Sequence, residues 1–421
     1  MALSNLIARE HYVALTHRNF LLLWLGLLAS ITGSMMQNAA LLWHVSLLVA
    51  PEHKAIALGV VGLVRVVPIV IFSMISGVVA DAWNRRRLML FTQTSAAMVS
   101  IVLALLTFRG LSVVWPIYVL AAIGASVGTF DLPARQALYP TLVPREHLPN
   151  AISLNTIMFQ AASVVGPSIG GIVIAAAGVG WVYVANAVSF GAVIAGLLLM
   201  RGVSGRPERL GHEPENEISL GAAVEGLKFV FASPLIRSTM LLDFFATFFS
   251  SATALLPIFA QDILQVGARG YGWLYAAPAV GAVAMSAAMV VMTNRIQRRG
   301  PVLLWAVAGY GLATAVFGLS KYFWLTFFCL AMTGAMDTIS MIIRNIVRQL
   351  ETPDRLRGRM MGVNMVFFQG GPQLGELEAG AVANWLGAVF SVVSGGVGCL
   401  IATGWVAAST PALRRYRKGQ A

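Results

Sequence analysis

Long, uninterrupted apolar runs dominate this 421-residue chain and restrict what it can fold into. Most of them reach about 20 residues, the length at which an α-helix crosses the hydrocarbon core of a bilayer. Only 11% of the residues are charged, against about 25% in an average soluble domain. That charge is too sparse to coat a water-exposed surface. The composition therefore argues against a soluble enzyme, a disordered chain and a disulfide-rich secreted scaffold.

Hydropathy along the chain predicts an all-α membrane protein with twelve transmembrane helices. The apolar runs are continuous and lack the two-residue alternation typical of a membrane β-barrel. The predicted spans are 20–48, 56–80, 88–108, 113–138, 150–177, 181–200, 236–263, 270–292, 301–319, 322–346, 359–384 and 386–409.

Basic residues are distributed unevenly between the two sides of the predicted membrane. With the N-terminus inside, most of the 29 Lys and Arg residues lie on the cytoplasmic side. Only Lys54, Arg109, Arg269 and Lys321 fall outside, and Arg65 lies within a span. Because cytoplasmic loops carry an excess of basic residues, we expect a multi-pass protein of the cell inner membrane with both termini in the cytoplasm. The net charge of +12 then indicates contact with anionic lipid rather than with nucleic acid.

The two halves of the chain share sequence elements, and a hydrophilic stretch at 201–219 separates them. In the first half, DLPARQALYPTLVPREHLPNA precedes GPSIGG; in the second, DTISMIIRNIVRQLETPDRLRGR precedes GPQLGE. This repeat predicts two pseudo-symmetric six-helix bundles, 1–200 and 236–421. A cytoplasmic linker with an interfacial helix, 201–235, joins them. In duplicated transporters the substrate cavity lies between the halves, near the membrane midplane.

Ionisable side chains inside the predicted spans are few, and each is expected to face a cavity or a partner because a charge in lipid is costly. The candidates for proton coupling are Glu376, Asp243, Asp337 and Glu378. Glu376 ranks first, since Glu378 lies two residues on and points to another side of the same helix. Arg65, the one basic group well inside a span, can neutralise Glu376 or Asp243 or bind an anionic substrate. Asp337 can pair with Arg298 or Arg344.

Uncharged polar residues within the spans are candidates for substrate contacts or for hydrogen bonds between helices. They are Gln37, Asn38, Asn155, Gln160, Asn364 and Gln369. The chain contains no G-x-x-x-x-G-K-[ST] loop for ATP, and its six histidines are scattered. We therefore expect no metal and no cofactor, and an ion gradient as the energy source.

Two stretches resemble a known family. Residues 77–87, GVVADAWNRRR, resemble the G-x-x-x-D-R/K-x-G-R-R loop between the second and third helices of the major facilitator superfamily, with departures at Ala82 and Asn84. Residues 128–171 are similar to the branch of that superfamily that contains enterobactin-type siderophore exporters and macrolide-type drug exporters. The resemblance covers essentially the whole chain and implies the major facilitator fold.

The resemblance also implies roles for particular residues. It implies a cytoplasmic latch that favours an outward-open state and consists of Gly77, Asp81, Arg85, Asp131 and Arg135. In this latch Asp81 faces the N-terminus of the span 359–384, and Arg85 reaches Asp131. A purely structural Asp131–Arg135 pair, one helical turn apart, is the alternative.

A glycine-rich element on the span 150–177 resembles the antiporter motif of exporters. Its residues are Gly166, Pro167, Gly170 and Gly171. The motif favours efflux over uptake, and tight helix packing is a compatible explanation.

The expected function is secondary active export of a small amphipathic molecule, such as a drug or siderophore, by proton antiport and alternating access, in a monomer. A lipid or lysolipid translocator, or an uptake symporter on the same fold, is the alternative. A receptor would need an extramembrane domain, and a membrane enzyme would need clustered catalytic groups; neither is visible in the sequence.

Overall fold

The structure, a computed structural model, describes residues 12–202, 220–249 and 251–418, except for the side chains of some helical residues. The predicted site residues Asp81 and Gln369 are among these exceptions, so their side chains lie outside the described set. The described residues form helices and short connections, with no β-strand. The prediction of an all-α protein is confirmed.

Six long helices make up the first half of the chain. They are α1 (Arg18–Leu48), α2 (Lys54–Ala82), α3 (Arg85–Phe108), α4 (Trp115–Leu138), α5 (Leu148–Ala177) and α6 (Val179–Leu199).

The second half contains a short helix, six longer ones and a C-terminal turn of helix. They are α7 (Leu220–Ala232), α8 (Pro234–Phe249), α9 (Gly267–Met292), α10 (Arg299–Leu319), α11 (Phe323–Glu351), α12 (Asp354–Leu386), α13 (Ala388–Ser409) and α14 (Pro411–Arg415). Further helical turns follow between Ala252 and Ile263.

Within the described residues, eleven helical segments are long and apolar enough to cross a membrane, so the chain is a multi-pass membrane protein. The predicted span 359–384 lies inside α12, which is not one of the eleven. With 33 residues α12 is about 50 Å long and exceeds the roughly 30 Å hydrocarbon core. Its polar residues, Glu376 and Glu378 among them, lower its hydropathy without shortening the helix.

In each half of the chain, a single glycine with a positive φ joins two consecutive helices. Gly178 joins α5 to α6 with φ +90°, and Gly387 joins α12 to α13 with φ +89°. Residues other than glycine rarely adopt a positive φ of this size. Glycine therefore allows one helix to end and the next to begin within a single residue. Asn84 begins α3 in another way, since its side chain accepts a hydrogen bond from the backbone N–H of Arg87 at 3.1 Å.

The chain forms two compact units. The first contains α1, the part of α2 from Val67 onward, and α3 to α6. The second contains α2 up to Val66 together with α7 to α14. The helix α2 therefore contributes to both units, and the proposed division into bundles at 201–235 stays a prediction.

Candidate functional site

A buried cluster of charged residues lies in the second unit and links α8 to α11. Asp243 on α8 is 3% exposed, and Arg344 and Arg348 on α11 are each 2% exposed. Arg344 Nη1 lies 2.8 Å from Asp243 Oδ1, and Arg348 Nη2 donates to Asp243 Oδ2 at 3.3 Å. The carboxylate of Asp243 is therefore held between two guanidinium groups, which offset the cost of burying its charge.

Each arginine of this cluster has further partners. Arg344 Nη2 donates to Asp337 Oδ1 at 3.3 Å. Arg348 donates to the backbone carbonyl of Thr239 at 3.0 Å, and it also contacts Asn364 Oδ1 on α12. The two arginines therefore form ion pairs with two aspartates, and the four formal charges of the cluster sum to zero.

The structure gives Asp243 two partners that the sequence did not indicate. Asp243 has no basic neighbour in sequence, yet two arginines from another helix contact it. Arg344 and Arg348 are counted among the basic residues of the cytoplasmic side, and both side chains are buried inside the unit. A helical pattern was available, because residues 337, 344 and 348 share one face of α11. Of the two partners proposed for Asp337, it is Arg344 that contacts it.

A second acidic site involves Glu376 on α12 and the beginning of α2, in the same unit. A Cβ added to Gly62 would lie 2.9 Å from Oε2 of Glu376 and 2.5 Å from the backbone oxygen of Gln373. Oε2 of Glu376 and Oε1 of Gln373 are buried and have no hydrogen-bond partner among the described residues. Arg65 lies near enough to interact electrostatically with Glu376, and both interact with Tyr275.

Glycines allow this close approach of α2 and α12. A Cβ at Gly380 would lie 2.6 Å from the Cα of Gly59 and 2.7 Å from the carbonyl oxygen of Ala55. Backbone therefore meets backbone, and no larger side chain fits at either glycine without moving a helix. This contact places Glu376 against Gly62 of α2. Because glycine has no side chain, this position offers the carboxylate no side-chain donor.

In the first unit, Asp131 on α4 has a complete set of partners. Its Oδ1 accepts hydrogen bonds from Thr92 and Gln93 on α3, both at 2.8 Å. Its Oδ2 accepts from Arg135 at 2.5 Å. Arg85 instead donates to the backbone carbonyl of Ala137 at 3.0 Å. The expected contact of Arg85 with Asp131 is absent from the described residues, because α3 and Arg135 already satisfy that carboxylate.

Several uncharged candidates in the first unit form hydrogen bonds between helices. Gln37 Oε1 accepts from Ser100 at 2.8 Å and from Asn186 at 2.9 Å, which connects α1 with α3 and α6. Asn155 accepts from the hydroxyl of Tyr139 at 2.6 Å. Asn186 was not among the predicted residues, although it is a lone buried amide in the apolar helix α6.

The remaining candidates have simpler surroundings. Asn38 and Gln160 are half-buried on α1 and α5, and Glu378 is half-buried on α12. Gly77 has open space where a side chain would begin.

The glycine element of α5 packs against α1. A Cβ at Gly166 would lie 2.7 Å from Met35 Cβ and 2.7 Å from the carbonyl oxygen of Thr32. Pro167, Gly170 and Gly171 are also buried. The matching Gly371 of the second half would meet Thr247 on α8 at 2.5 Å. Both copies of the repeat therefore provide close helix packing within their own unit, and their role in export stays a prediction.

Repeated halves and ionisable side chains buried among the membrane-spanning helices are features of secondary transporters, including those of the major facilitator type. Solved structures of that fold superpose on the chain. A bacterial homologue of the human lysosomal transporter Spinster has a TM-score of 0.72 with 16% identity, over 96% of this chain and 99% of the other. A bacterial homologue of the iron transporter ferroportin has a TM-score of 0.67 with 16% identity, over 95% and 99%.

Residues 10–417 match the family model described as transmembrane secretion effector, and the chain belongs to that family. Among curated relatives, the enterobactin exporter EntS of Shigella boydii serotype 18 is 29% identical over 345 residues, which is 82% of this chain and 81% of the relative. The enterobactin exporter EntS of Escherichia coli O157:H7 is 28% identical over the same shares. The predicted superfamily and fold are confirmed.

Proposed function

We propose that this protein is a proton-driven antiporter that exports a small amphipathic molecule from the cytoplasm by alternating access. It would reside in the cell inner membrane as a monomer, with both termini in the cytoplasm. The family membership and the relatives named as exporters support the direction of transport. The glycine element of α5 is consistent with that direction.

The surroundings of Glu376 carry the proposal. Asp131 has three donors, and Asp243 and Asp337 have arginine partners. Glu376 differs, because among the described residues its buried Oε2 has neither a hydrogen-bond donor nor an ion-pair partner, whereas Asp243 Oδ1 lies 2.8 Å from Arg344 Nη1. An ionised carboxylate in that position lacks a hydrogen bond that water would supply. A proton on Oε2 removes the charge and makes this atom a hydrogen-bond donor. The unpartnered Oε1 of Gln373 is able to accept that hydrogen bond.

A coupling step follows from this arrangement. With the proton bound, Glu376 is neutral and tolerates the close contact of α12 with Gly59 and Gly62. Without the proton, the carboxylate favours a state in which water or Arg65 reaches it. Binding and release of a proton therefore bias the contact of α12 with α2, and that bias ties the gradient to a conformational change.

An aromatic surface supports the substrate class. Phe244 and Phe248 on α8 stack with ring centroids 5.5 Å apart, and Phe367 on α12 meets Phe244 edge-on at 6.0 Å. Flat apolar rings suit the aromatic part of an amphipathic molecule. We therefore assign these three residues to substrate contact.

Transport into inside-out vesicles tests the function. A pH gradient imposed with the acidic side inside should drive uptake of at least one compound from a panel of siderophores, amphipathic drugs and lysolipids. Glu376→Gln should abolish the gradient dependence while retaining exchange of substrate across the membrane. Glu378→Gln is the matched control and should keep gradient-driven uptake. No gradient dependence for any compound would remove the antiport proposal, and uptake of lysolipid alone would favour the lipid translocator.

A further inference from the structure

The end of the chain is anchored to the second unit. After α13 the chain turns through α14 and continues to Lys418. Leu413 is fully buried and Tyr416 is 5% exposed, and both belong to the apolar core that includes Leu303 and Val307. The chain therefore holds a defined position on the unit as far as Tyr416.

Backbone hydrogen bonds align this end of the chain with the turn between α9 and α10. The N–H of Gly300 donates to the carbonyl of Tyr416 at 3.1 Å, and the N–H of Lys418 donates to the carbonyl of Gln297 at 2.9 Å. The two segments run antiparallel, because the order of the bonded residues is reversed between them. Gly300 is required there, because a Cβ at that position would lie only 1.7 Å from the carbonyl oxygen of Leu413.

A side-chain hydrogen bond fixes the same segment to the end of α11. The Tyr416 hydroxyl donates to Oε1 of Glu351 at 2.9 Å. Burial and this hydrogen bond raise the pKa of Tyr416 to about 12, so the hydroxyl remains a donor at every physiological pH. Apolar packing, two backbone hydrogen bonds and the Tyr416–Glu351 hydrogen bond therefore hold the C-terminal segment in place. The basic residues next to Tyr416 are held in place with it.

The two aligned segments present a group of exposed basic side chains that we name the basic platform. It consists of Arg295, Arg298, Arg414, Arg415, Arg417 and Lys418. Arg299, within the first of the two segments, is buried and interacts electrostatically with Tyr416. Neither segment, 293–300 or 410–418, contains an acidic residue. Six exposed basic residues on two hydrogen-bonded segments create a positive potential, which favours a polyanionic partner.

We propose that the basic platform binds the headgroups of anionic phospholipids in the cytoplasmic leaflet. Exposed guanidinium groups suit phosphate oxygens, which they bind in a bidentate manner. The platform follows α13 directly and precedes α10, so it lies at the level where two transmembrane helices meet the headgroups. The choice of leaflet rests on the proposed cytoplasmic C-terminus; the binding itself does not depend on transport.

Lipid binding to the purified full-length protein tests this inference. Phosphatidylglycerol and phosphatidylcholine are titrated separately into protein in neutral detergent, and bound lipid is counted by native mass spectrometry. Phosphatidylglycerol should bind more tightly than phosphatidylcholine. Neutralising Arg414, Arg415, Arg417 and Lys418 together to Gln should weaken phosphatidylglycerol binding at least about tenfold, since one basic residue near a membrane surface contributes roughly fivefold.

A control variant with the same loss of charge separates a site from bulk attraction. It changes to Gln four basic residues that lie outside the platform, namely Arg145, Arg201, Lys228 and Arg237. This control should bind phosphatidylglycerol as the wild type does. Tyr416→Phe keeps every charge but removes the tie to Glu351, and it should weaken binding about threefold. Equal losses in both fourfold variants, or no preference for phosphatidylglycerol, would overturn the proposal.

Discussion

At the scale of single residues, the same chemical group has different roles in different surroundings. Asp243 and Glu376 are both acidic residues of predicted spans. Asp243 lies between two guanidinium groups, whereas Oε2 of Glu376 has no donor. The two guanidinium groups offset the charge of the Asp243 carboxylate, whereas a buried carboxylate without a donor has a reason to take up a proton.

The first prediction concerns Asp243. Asp243→Asn leaves Arg344 and Arg348 buried without their shared counter-ion, and loss of one partner of a buried ion pair costs about 3–5 kcal/mol. We expect a large drop in thermal stability of the purified protein, measured by the unfolding midpoint in detergent.

The control for Asp243 is the ion pair of Lys54 and Asp262, whose N–O distance is 3.1 Å. The Asp262 side chain is 51% exposed, so Asp262→Asn should cost no more than about 1 kcal/mol. A midpoint for Asp243→Asn as high as that of Asp262→Asn would show that the buried cluster does not stabilise the fold.

The second prediction concerns the pH dependence of transport. If Glu376 carries the proton, exchange of substrate across the membrane without a gradient should vary with pH in the wild type, because the carboxyl must change its protonation state during each cycle. Glu376→Gln has a permanently neutral side chain, so its exchange rate should be independent of pH. A Gln variant that retains the full pH profile would assign the proton to another residue.

At the scale of helices, glycines determine how closely neighbouring elements approach. Gly59 and Gly380 bring α2 and α12 into backbone contact, and Gly166 does the same for α5 and α1. These contacts explain why long apolar helices contain residues with low intrinsic helix propensity. The polar groups between the helices, such as Gln37 with Ser100, add directional bonds to this packing.

The third prediction compares two glycines of α12. A side chain at Gly380 would collide with Gly59 and Ala55, whereas Gly362 has open space around its missing Cβ. Overpacking costs about 1–3 kcal/mol. Gly380→Val should therefore lower the unfolding midpoint and reduce transport, while Gly362→Val should alter neither beyond a small effect. If Gly362→Val lowers the unfolding midpoint and transport as much as Gly380→Val does, then the flexibility of glycine, and not the contact with α2, supports stability and transport.

At the scale of the whole molecule, the basic residues define an orientation. Most of the 29 Lys and Arg residues lie on one predicted side, and this bias determines how a multi-pass chain inserts. The native cysteines favour a direct test, because Cys329 and Cys399 are 5% and 1% exposed.

The fourth prediction uses labelling with a membrane-impermeant maleimide. Lys321 and Arg201 are both exposed and lie on opposite predicted sides. Lys321→Cys should react in intact cells, and Arg201→Cys should react only after the membrane is opened. The wild-type protein should remain unlabelled in both conditions. The opposite pattern for the two variants would invert the topology and move the basic platform to the outer leaflet.

Much of the architecture was readable in the residues alone. Apolar runs of bilayer length require helices, since a backbone in lipid must satisfy its own hydrogen bonds. The loop at 77–87 and the stretch 128–171 were sufficient to recognise the superfamily. The acidic residues were also found, because each is an isolated charge in an apolar run.

The partners of those acids depended on how the helices pack. Arg344 and Arg348 are about a hundred residues from Asp243 in sequence, and a count of charges by side showed only that they belong to the predicted cytoplasmic side. The packing of α8 against α11 pairs the two arginines with Asp243. The packing of α2 against α12 leaves Oε2 of Glu376 without a hydrogen-bond donor among the described residues. Hydropathy and local spacing report what a segment can bury. Which charges neutralise each other depends on distances between helices that no local pattern contains.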